Sequence, residues 1–209
     1  ATATDAAGNT GRTTATSFLK GSVGPNFSSI AATPDNAKVG TVVTIAFTAS
    51  VALKADPIVT VGGNTAAYSS RTDLNYTYNY TVTSGDTAGA KTISITGLDL
   101  AGNSGSGTGN LIYDFSAPTI GSGTPAGVTG LTIPTISAVV SDTGGSNVSA
   151  VVMRINGVAV TSGYNPTTGV VSYTPVRALA ARTYTVSIDA KDTAGNSAVR
   201  YSFSFTIRP

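Results

Sequence analysis

The sequence predicts an all-β protein built from antiparallel β-sandwiches, and three observations support this prediction. Apolar and polar residues alternate with a period of two over most of the chain. Most of the alternating segments are closed by Gly, Asn, Asp or Pro, the residues that favour turns. A short phrase, DAAGNTG at 5–11, returns as DLAGNSG at 99–105 and as DTAGNSA at 192–198, which indicates repeated structural units.

The alternating segments are the predicted strands, and no amphipathic helical pattern competes with them. They are TVVTIAFTAS (41–50), NYTYNYTV (75–82), KTISITGLD (91–99), TISAVVSD (135–142), AVVMRING (150–157), GVVSYTP (169–175), TYTVSIDAKD (183–192) and VRYSFSFTI (199–207). Since one face of a strand normally packs into the core, we expect Tyr76, Tyr78 and Tyr80 to point inward. The alternative for these tyrosines is a stacking platform for a sugar or a partner protein.

The repeated phrase is predicted to form a hairpin turn. Glycine supplies the positive φ that such a turn needs, Asn tolerates the left-handed region, and the Asp carboxylate can accept hydrogen bonds from backbone amides across the bend. The predicted turn residues are Asp5, Gly8, Asn9, Asp99, Gly102, Asn103, Asp192, Gly195 and Asn196.

The spacing of the turns sets the size of the repeated unit. The three glycines lie 94 residues (102 − 8) and 93 residues (195 − 102) apart, close to the length of an immunoglobulin-like sandwich of about 100 residues. We therefore predict tandem immunoglobulin-like antiparallel β-sandwiches joined by a short linker, with units at 23–115 and 116–209. Residues 1–22 are predicted to be the final hairpin or strand of a preceding, incomplete unit, or an assembly strand.

Composition argues against several classes of protein. Charged residues make up 11% of the chain, and its 12 Lys and Arg are scattered rather than clustered, so the sequence predicts no nucleic-acid binding. No apolar run approaches the roughly 20 residues needed for a membrane span. The chain contains no His and no Cys, which removes the commonest general base and the thiolate metal ligands. We therefore expect no enzymatic activity and no catalytic residues.

The chain resembles tandem bacterial immunoglobulin-like domains of large surface and secreted proteins. The resemblance is carried by SDTGGSNVSAVVMRINGVAV (141–160) and SYTPVRALAARTYTVSIDAKDTAGN (172–196), and by YTYNYTVTSGDTAGAKTISITGLDLAGN (76–103) with the APT linker at 117–119. It implies an extracellular, cell-surface location and a role as spacer, stalk, adhesin or accessory unit. The implied partners are neighbouring domains or identical subunits, with a surface protein or a glycan as further possibilities.

A calcium site is one hypothesis for the acidic residues near the turns. Asp142, Asp189 and Asp192 offer oxygens near one end of a sandwich, but Ca²⁺ requires six to eight oxygen ligands. Plain capping of the turns by these Asp side chains is the alternative. No other cofactor is expected.

The segment after the first turn is a candidate strand for contact between subunits. It comprises Thr13, Thr14, Ala15, Thr16 and Phe18. An isolated strand leaves its backbone donors and acceptors unpaired, so an upstream part of a longer polypeptide, an edge of this chain or a neighbouring subunit must pair with it. Three functions follow from the sequence: a structural or adhesive spacer, a subunit of a self-assembling filament or lattice that uses this strand, and a carbohydrate-binding accessory module.

Overall fold

A computed structural model describes residues 2–12 and 21–209, and within these ranges the chain forms strands, turns and loops without a helix. The predicted all-β, immunoglobulin-like sandwich fold is confirmed. The first two strands, β1 (Thr2–Thr4) and β2 (Thr10–Arg12), form an antiparallel hairpin around the first repeated turn. Residues 2–11 of this hairpin are exposed. The predicted contact strand, Thr13 to Phe18, lies outside the described residues.

Nine strands build the first sandwich. Its five-stranded sheet has the order β4-β11-β10-β6-β7, and its four-stranded sheet has the order β3-β5-β9-β8. The strands are β3 (Phe27–Thr33), β4 (Asn36–Ala37), β5 (Val42–Ala49), β6 (Ile58–Val61), β7 (Asn64–Thr65), β8 (Ala67–Thr72), β9 (Asn75–Thr81), β10 (Gly89–Leu98) and β11 (Ser104–Tyr113).

The second sandwich repeats this topology strand for strand. Its sheets have the orders β13-β20-β19-β15-β16 and β12-β14-β18-β17. The strands are β12 (Thr119–Thr124), β13 (Gly127–Thr129), β14 (Ile136–Ser141), β15 (Val148–Ile155), β16 (Val158–Ala159), β17 (Gly163–Asn165), β18 (Val170–Tyr173), β19 (Thr183–Asp192) and β20 (Tyr201–Ile207). The Val43–Tyr80 pair of the first sandwich corresponds to the Ile136–Tyr173 pair of the second, so an offset of 93 residues relates β5 and β9 to β14 and β18.

Each sandwich has its own hydrophobic core. The first core is rich in aromatic residues, with the rings of Phe47 and Tyr76 stacked at a centroid distance of 5.5 Å. The second is mainly aliphatic around Met153, with Tyr184 stacked on Phe205 at 5.4 Å. Full burial of one such side chain contributes roughly 1.5–3 kcal/mol. The unit limits at 22/23 and 115/116 remain predictions. A division into two units requires two separate hydrophobic cores, and the described residues form two.

The tyrosines of β9 point inward. Tyr76, Tyr78 and Tyr80 are all buried, while the residues between them are partly exposed, which confirms the inward-facing prediction. The Tyr78 hydroxyl donates a hydrogen bond of 2.5 Å to the carbonyl oxygen of Pro57. Burial raises the pKa of Tyr78 to about 12, so this hydroxyl remains a donor at physiological pH.

Hydroxyl and amide side chains form pairs across the outer faces of both sandwiches. In the first sandwich, Thr48 donates to Asn75 across β5 and β9. In the second, Thr183 pairs with Thr206, and further pairs join Thr119 to Ser141, Thr124 to Ser137 and Thr135 to Thr174. Such cross-strand pairs each contribute a few tenths of a kcal/mol up to about 1 kcal/mol. They carry no net charge, so salt does not screen them.

Replacing Tyr78 by Phe should lower the free energy of unfolding by about 1–2 kcal/mol, because the buried Pro57 carbonyl loses its donor. Urea denaturation of the full chain measures this change. Tyr68→Phe is the control, because Tyr68 is half-exposed and contacts Tyr78 through its ring edge. Equal effects of the two substitutions would contradict a stabilising role for the Tyr78 hydroxyl.

Candidate metal centre at the junction of the sandwiches

The three repeated turns at 5–9, 99–103 and 192–196 share one hydrogen-bond pattern. In each, the backbone N–H of the Asp donates to the carbonyl of the Asn four residues later. The backbone N–H and the side-chain amide of that Asn donate back to the two carboxylate oxygens, at 2.7–2.9 Å. The glycine before each Asn has a positive φ of 85–92°, which explains its presence.

These hydrogen bonds change the acidity of the turn carboxylates. Donation from the Asn9 side chain and backbone lowers the pKa of Asp5, and Asn103 lowers the pKa of Asp99 in the same way. Both carboxylates are therefore ionised at neutral pH and accept the two amide donors of their turns.

The second and third turns also bind the chain where it enters their own sandwich. The Asn103 side chain donates to the carbonyl of Gly21 at 2.6 Å, and the Asn196 side chain donates to the carbonyl of Asp114 at 2.9 Å. In each contact the donor and acceptor residues are 82 positions apart. The second contact lies 93 residues after the first, so the two contacts are equivalent. Each closing turn therefore lies at the end of its sandwich where the preceding part of the chain arrives.

The third turn also contacts the first sandwich. The Lys38 ammonium, which follows β4 directly, donates to the carbonyl of Gly195 at 2.6 Å. Together with the Asn196–Asp114 hydrogen bond, this contact joins the two sandwiches end to end.

Asp114 lies at the centre of this junction. Its side chain is fully buried and accepts hydrogen bonds from the backbone N–H of Ser116 and of Ser146, each at 2.9 Å, and from the Ser146 hydroxyl. Gly144 packs directly against the carboxylate, since a Cβ built there would lie 1.7 Å from Asp114 Oδ1. The loop at 142–146 therefore encloses the Asp114 side chain.

Three carboxylates converge at this point. Asp114, Asp142 and Asp192 each contribute one oxygen to a cluster in which all the oxygens lie within 4.8 Å of one another. Asp114 and Asp192 are buried. At this distance two like charges repel by about 3 kcal/mol at an effective dielectric constant of 20. Without a cation, the arrangement is therefore electrostatically unfavourable.

Asp142 carries the clearest sign of an unmet interaction. Its Oδ2 atom is completely buried and accepts no hydrogen bond from the residues that the structure describes. Burial, followed by the charges of Asp114 and Asp192, raises the pKa of Asp142. The Asp142 carboxylate, with one buried oxygen lacking a partner, converges with two further carboxylates, and carboxylate oxygens are the ligands of a hard cation such as Ca²⁺. Oxygens that share one Ca²⁺ at 2.3–2.6 Å lie at most about 5 Å apart. The three residues therefore fit Ca²⁺.

The first sandwich shows that the fold does not need this cluster. The positions equivalent to Asp114, Asp142 and Asp192 are Gly21, Ala49 and Asp99. The first sandwich thus retains the acid that caps the turn and lacks the other two. Turn capping accounts for Asp192 but not for the two additional carboxylates.

The structure does not bring Asp189 into the cluster with Asp142 and Asp192. Its carboxylate forms ion pairs with Arg154 and with Arg200, the latter at 2.8 Å. The hydrogen bond from Arg200 is the main cause that lowers the pKa of Asp189. The physical reason is the pleat, because residues three apart on β19 point to opposite faces of the sheet. The third member of the cluster is Asp114, which was not predicted from the sequence.

None of the described residues forms a helix long and apolar enough to cross a membrane.

Comparisons with known proteins agree with the fold. No curated protein matches the chain. Among solved structures, a fragment of three titin immunoglobulin domains is 14% identical over 88% of this chain and 65% of that chain, with a TM-score of 0.51. The fibronectin(III)-like modules of Clostridium thermocellum CbhA are 19% identical over 88% and 94% of the two chains, with a TM-score of 0.43.

A Ca²⁺-stabilised adhesin with which an Antarctic bacterium binds ice is 21% identical, and the match covers 99% of this chain and 55% of that chain with a TM-score of 0.41. A family model described as a bacterial Ig-like domain matches residues 118–208, which include all of the second sandwich. The second sandwich has the strand topology and the hydrophobic core described above. Residues 118–208 are therefore a bacterial Ig-like domain.

Proposed function

We propose that the chain is a non-catalytic structural segment of an extracellular bacterial surface protein, in which the two sandwiches form a stiff spacer or stalk. The observation that carries this proposal is the end-to-end junction, where the closing turn of the second sandwich binds Lys38 and Asp114. A linker without such contacts would let the sandwiches reorient freely. Fixed contacts on both sides of the linker instead favour one relative orientation.

The chemistry of the junction supports a role for Ca²⁺ in this stiffness. Asp114 ends the first sandwich, whereas Asp142 and Asp192 belong to the second. A cation held by all three would bridge the two sandwiches, with backbone carbonyls or water completing the six to eight ligands. Binding would also replace the repulsion among three carboxylates by attraction to a shared ion.

The junction offers no means of catalysis. Ser146 is buried, and its hydroxyl donates to the Asp114 carboxylate, which is itself buried and also accepts two backbone N–H groups. Because the chain contains no His, the most frequent activating base is absent. A closed contact between two sandwiches supports a structural role rather than turnover.

The surface supports an extracellular setting. The outer faces are built from Ser, Thr and Asn pairs with few charges, and stability in such a protein depends little on ionic strength. The chain resembles, in fold, a titin fragment of three immunoglobulin domains. Both features suit a protein whose task is reach and attachment.

Adding Ca²⁺ should stabilise the chain. If Ca²⁺ is present at 100 times its dissociation constant, the free energy of unfolding should rise by about 2.7 kcal/mol. Asp142→Asn should reduce or abolish this gain. In a chelator, however, the same substitution should leave stability unchanged or raise it, because it removes one of three repelling charges. Thermal melting with and without Ca²⁺, together with calorimetric titration, measures both effects.

Asp189→Asn is the matched control for this experiment, because it removes one carboxylate from the same sandwich, away from the cluster. It should leave the Ca²⁺ response intact. An unchanged melting temperature and no heat of binding for the unsubstituted chain would contradict the calcium site. Loss of the response in Asp189→Asn alone would place the ion elsewhere.

The junction contacts should give the two sandwiches one preferred orientation. The chain lacks Cys, so spin labels can be attached at Ser70→Cys and Val158→Cys, which lie on exposed strands of the first and second sandwich. Electron–electron distance measurements should give one narrow distribution at a fixed Ca²⁺ concentration. Asn196→Ala and Lys38→Ala should each broaden it, because each removes a hydrogen bond between the sandwiches.

Asn103→Ala is the control for the orientation experiment. It removes the same pair of turn contacts from the other end of the first sandwich, so the distance distribution should stay narrow. A broad distribution in the unsubstituted chain would rule out the stiff spacer.

A further inference from the structure

The hairpin between β15 and β16 carries the one Asn-Gly pair of the sequence. Asn156 and Gly157 form a two-residue loop, with Ile155 paired to Val158 across it. Both loop residues have a positive φ, 48° and 81°, as a type I′ turn requires. The equivalent loop of the first sandwich is Gly62–Gly63, with φ of 56° and 90°. Only the second sandwich therefore places a carboxamide side chain in this turn.

The backbone nitrogen of Gly157 lies in an open part of the surface. Gly157 is exposed, and a Cβ built on it would meet no heavy atom within 4 Å. Among the residues that the structure describes, no backbone carbonyl accepts a hydrogen bond from its N–H. A glycine nitrogen that follows Asn can attack the Asn Cγ atom, because the attack closes a small unstrained ring and no side chain hinders it. The pair therefore places a nucleophile next to an electrophile.

We propose that Asn156 is a deamidation site, and that opening of the β15–β16 hairpin controls its conversion. The Gly157 nitrogen forms a bond to Cγ of Asn156, the bond from Cγ to Nδ2 breaks, and Nδ2 leaves as ammonia with the proton of the Gly157 N–H. Water then adds to either carbonyl of the resulting succinimide and opens it to aspartate or isoaspartate. Nothing is oxidised or reduced, and water is the only co-reactant.

The folded turn restrains the Asn156 side chain. Its Oδ1 atom accepts a hydrogen bond of 2.9 Å from the Thr185 N–H, and its backbone N–H donates to the Thr185 carbonyl at 2.8 Å. Both bonds tie the residue to β19. Attack requires Cγ to approach the Gly157 nitrogen in an aligned geometry, and rotation of the carboxamide toward that nitrogen breaks its bond to Thr185.

Opening of the hairpin requires the loss of few contacts. β16 comprises only Val158–Ala159 and lies at the edge of its sheet. Val158 is 69% exposed, and Ala159 is exposed as well. Elements with few buried contacts open locally at a free energy well below that of global unfolding. The folded chain should therefore convert at Asn156 more slowly than the unfolded chain, but at a measurable rate.

The asparagines of the three repeated turns differ from Asn156 in two ways. Asn9 precedes a threonine, and Asn103 and Asn196 precede serines, so a side chain hinders the attacking nitrogen. Their Nδ2 atoms donate to the Asp carboxylate of the turn at 2.7–2.9 Å, which holds the leaving nitrogen in place. Asn156 precedes a glycine, and its bond to Thr185 uses Oδ1. Conversion should therefore be concentrated at Asn156.

Conversion would change the hairpin and leave the core in place. In isoaspartate the main chain runs through Cβ and Cγ, so the loop gains an extra backbone atom, and the length of a hairpin loop fixes the strand register. We expect the Ile155–Val158 pair to be lost. Met153, two residues before Ile155 on β15, is fully buried and should keep its place. This inference goes beyond the proposed function and depends neither on the calcium site nor on the stacking.

Peptide mass mapping of the full chain tests the proposal. After prolonged incubation in mildly alkaline buffer, the folded chain should show several-fold more conversion of Asn156 than of Asn103 or Asn196, with both aspartate and isoaspartate present. The same chain unfolded in guanidinium chloride should convert at Asn156 several-fold faster. Asn156→Gly is the matched control, because it gives the second sandwich the Gly-Gly turn of the first. It should fold and release no ammonia above the background of the other asparagines.

Each of the opposite results would overturn the proposal. Equal conversion of Asn103 and Asn156 in the folded chain would contradict the selectivity. Equal rates at Asn156 in the folded and unfolded chains would show that the turn does not restrain the side chain. An intact Asn156 in the folded chain, after full conversion in the unfolded chain, would show that the hairpin does not open. A failed calcium titration leaves each of these readouts unaffected.

Discussion

The Asn side chain of the repeated turn is the contact on which the architecture depends. One hydrogen of its amide closes the turn against the Asp carboxylate, and a second reaches the carbonyl of the residue that enters the sandwich. The last hairpin of each sandwich is thereby tied to the chain that leads into it, at Gly21 for the first sandwich and at Asp114 for the second. Because the chain arrives from the preceding unit at that residue, the same contact that closes a sandwich also fixes the start of the linker.

The two equivalent ends show how one fold can present different surfaces. The turn geometry is the same at Asp99 and at Asp192, so the backbone frame is constant. The neighbouring positions are free to change, and they differ in polarity from one sandwich to the other. At the internal junction they include Asp114 and Asp142, whose carboxylates converge with that of Asp192. Near the Asp99 turn the equivalent positions are Gly21 and Ala49, and Val23 and Leu100 are exposed there. A few residues around an unchanged turn therefore set the chemistry of each end.

The sequence predicted the fold well because its evidence was local. Period-two alternation and Gly-Asn turns identified the strands, and the inward direction of Tyr76, Tyr78 and Tyr80 followed from the pleat. The acidic site was predicted less well. Asp189 was grouped with Asp192 by proximity in sequence, although their odd spacing along β19 places them on opposite faces, a signal that the sequence did contain.

Asp114 could not have been identified in the same way. It follows the last strand of the first sandwich by one residue, and only the loop at 142–146 of the second sandwich makes it a buried group. That contact depends on how two sandwiches stack, which no local pattern encodes.

Carboxylates at this position make the internal junction different in kind from the apolar ends. An apolar contact depends on buried area and is insensitive to ions, whereas three converging acids, two of them buried, repel one another unless a cation is present. The Asp142 oxygen without a hydrogen bond marks the point where the protein alone does not balance its charges. Under the proposed function, the stiffness of this junction would therefore follow the concentration of Ca²⁺.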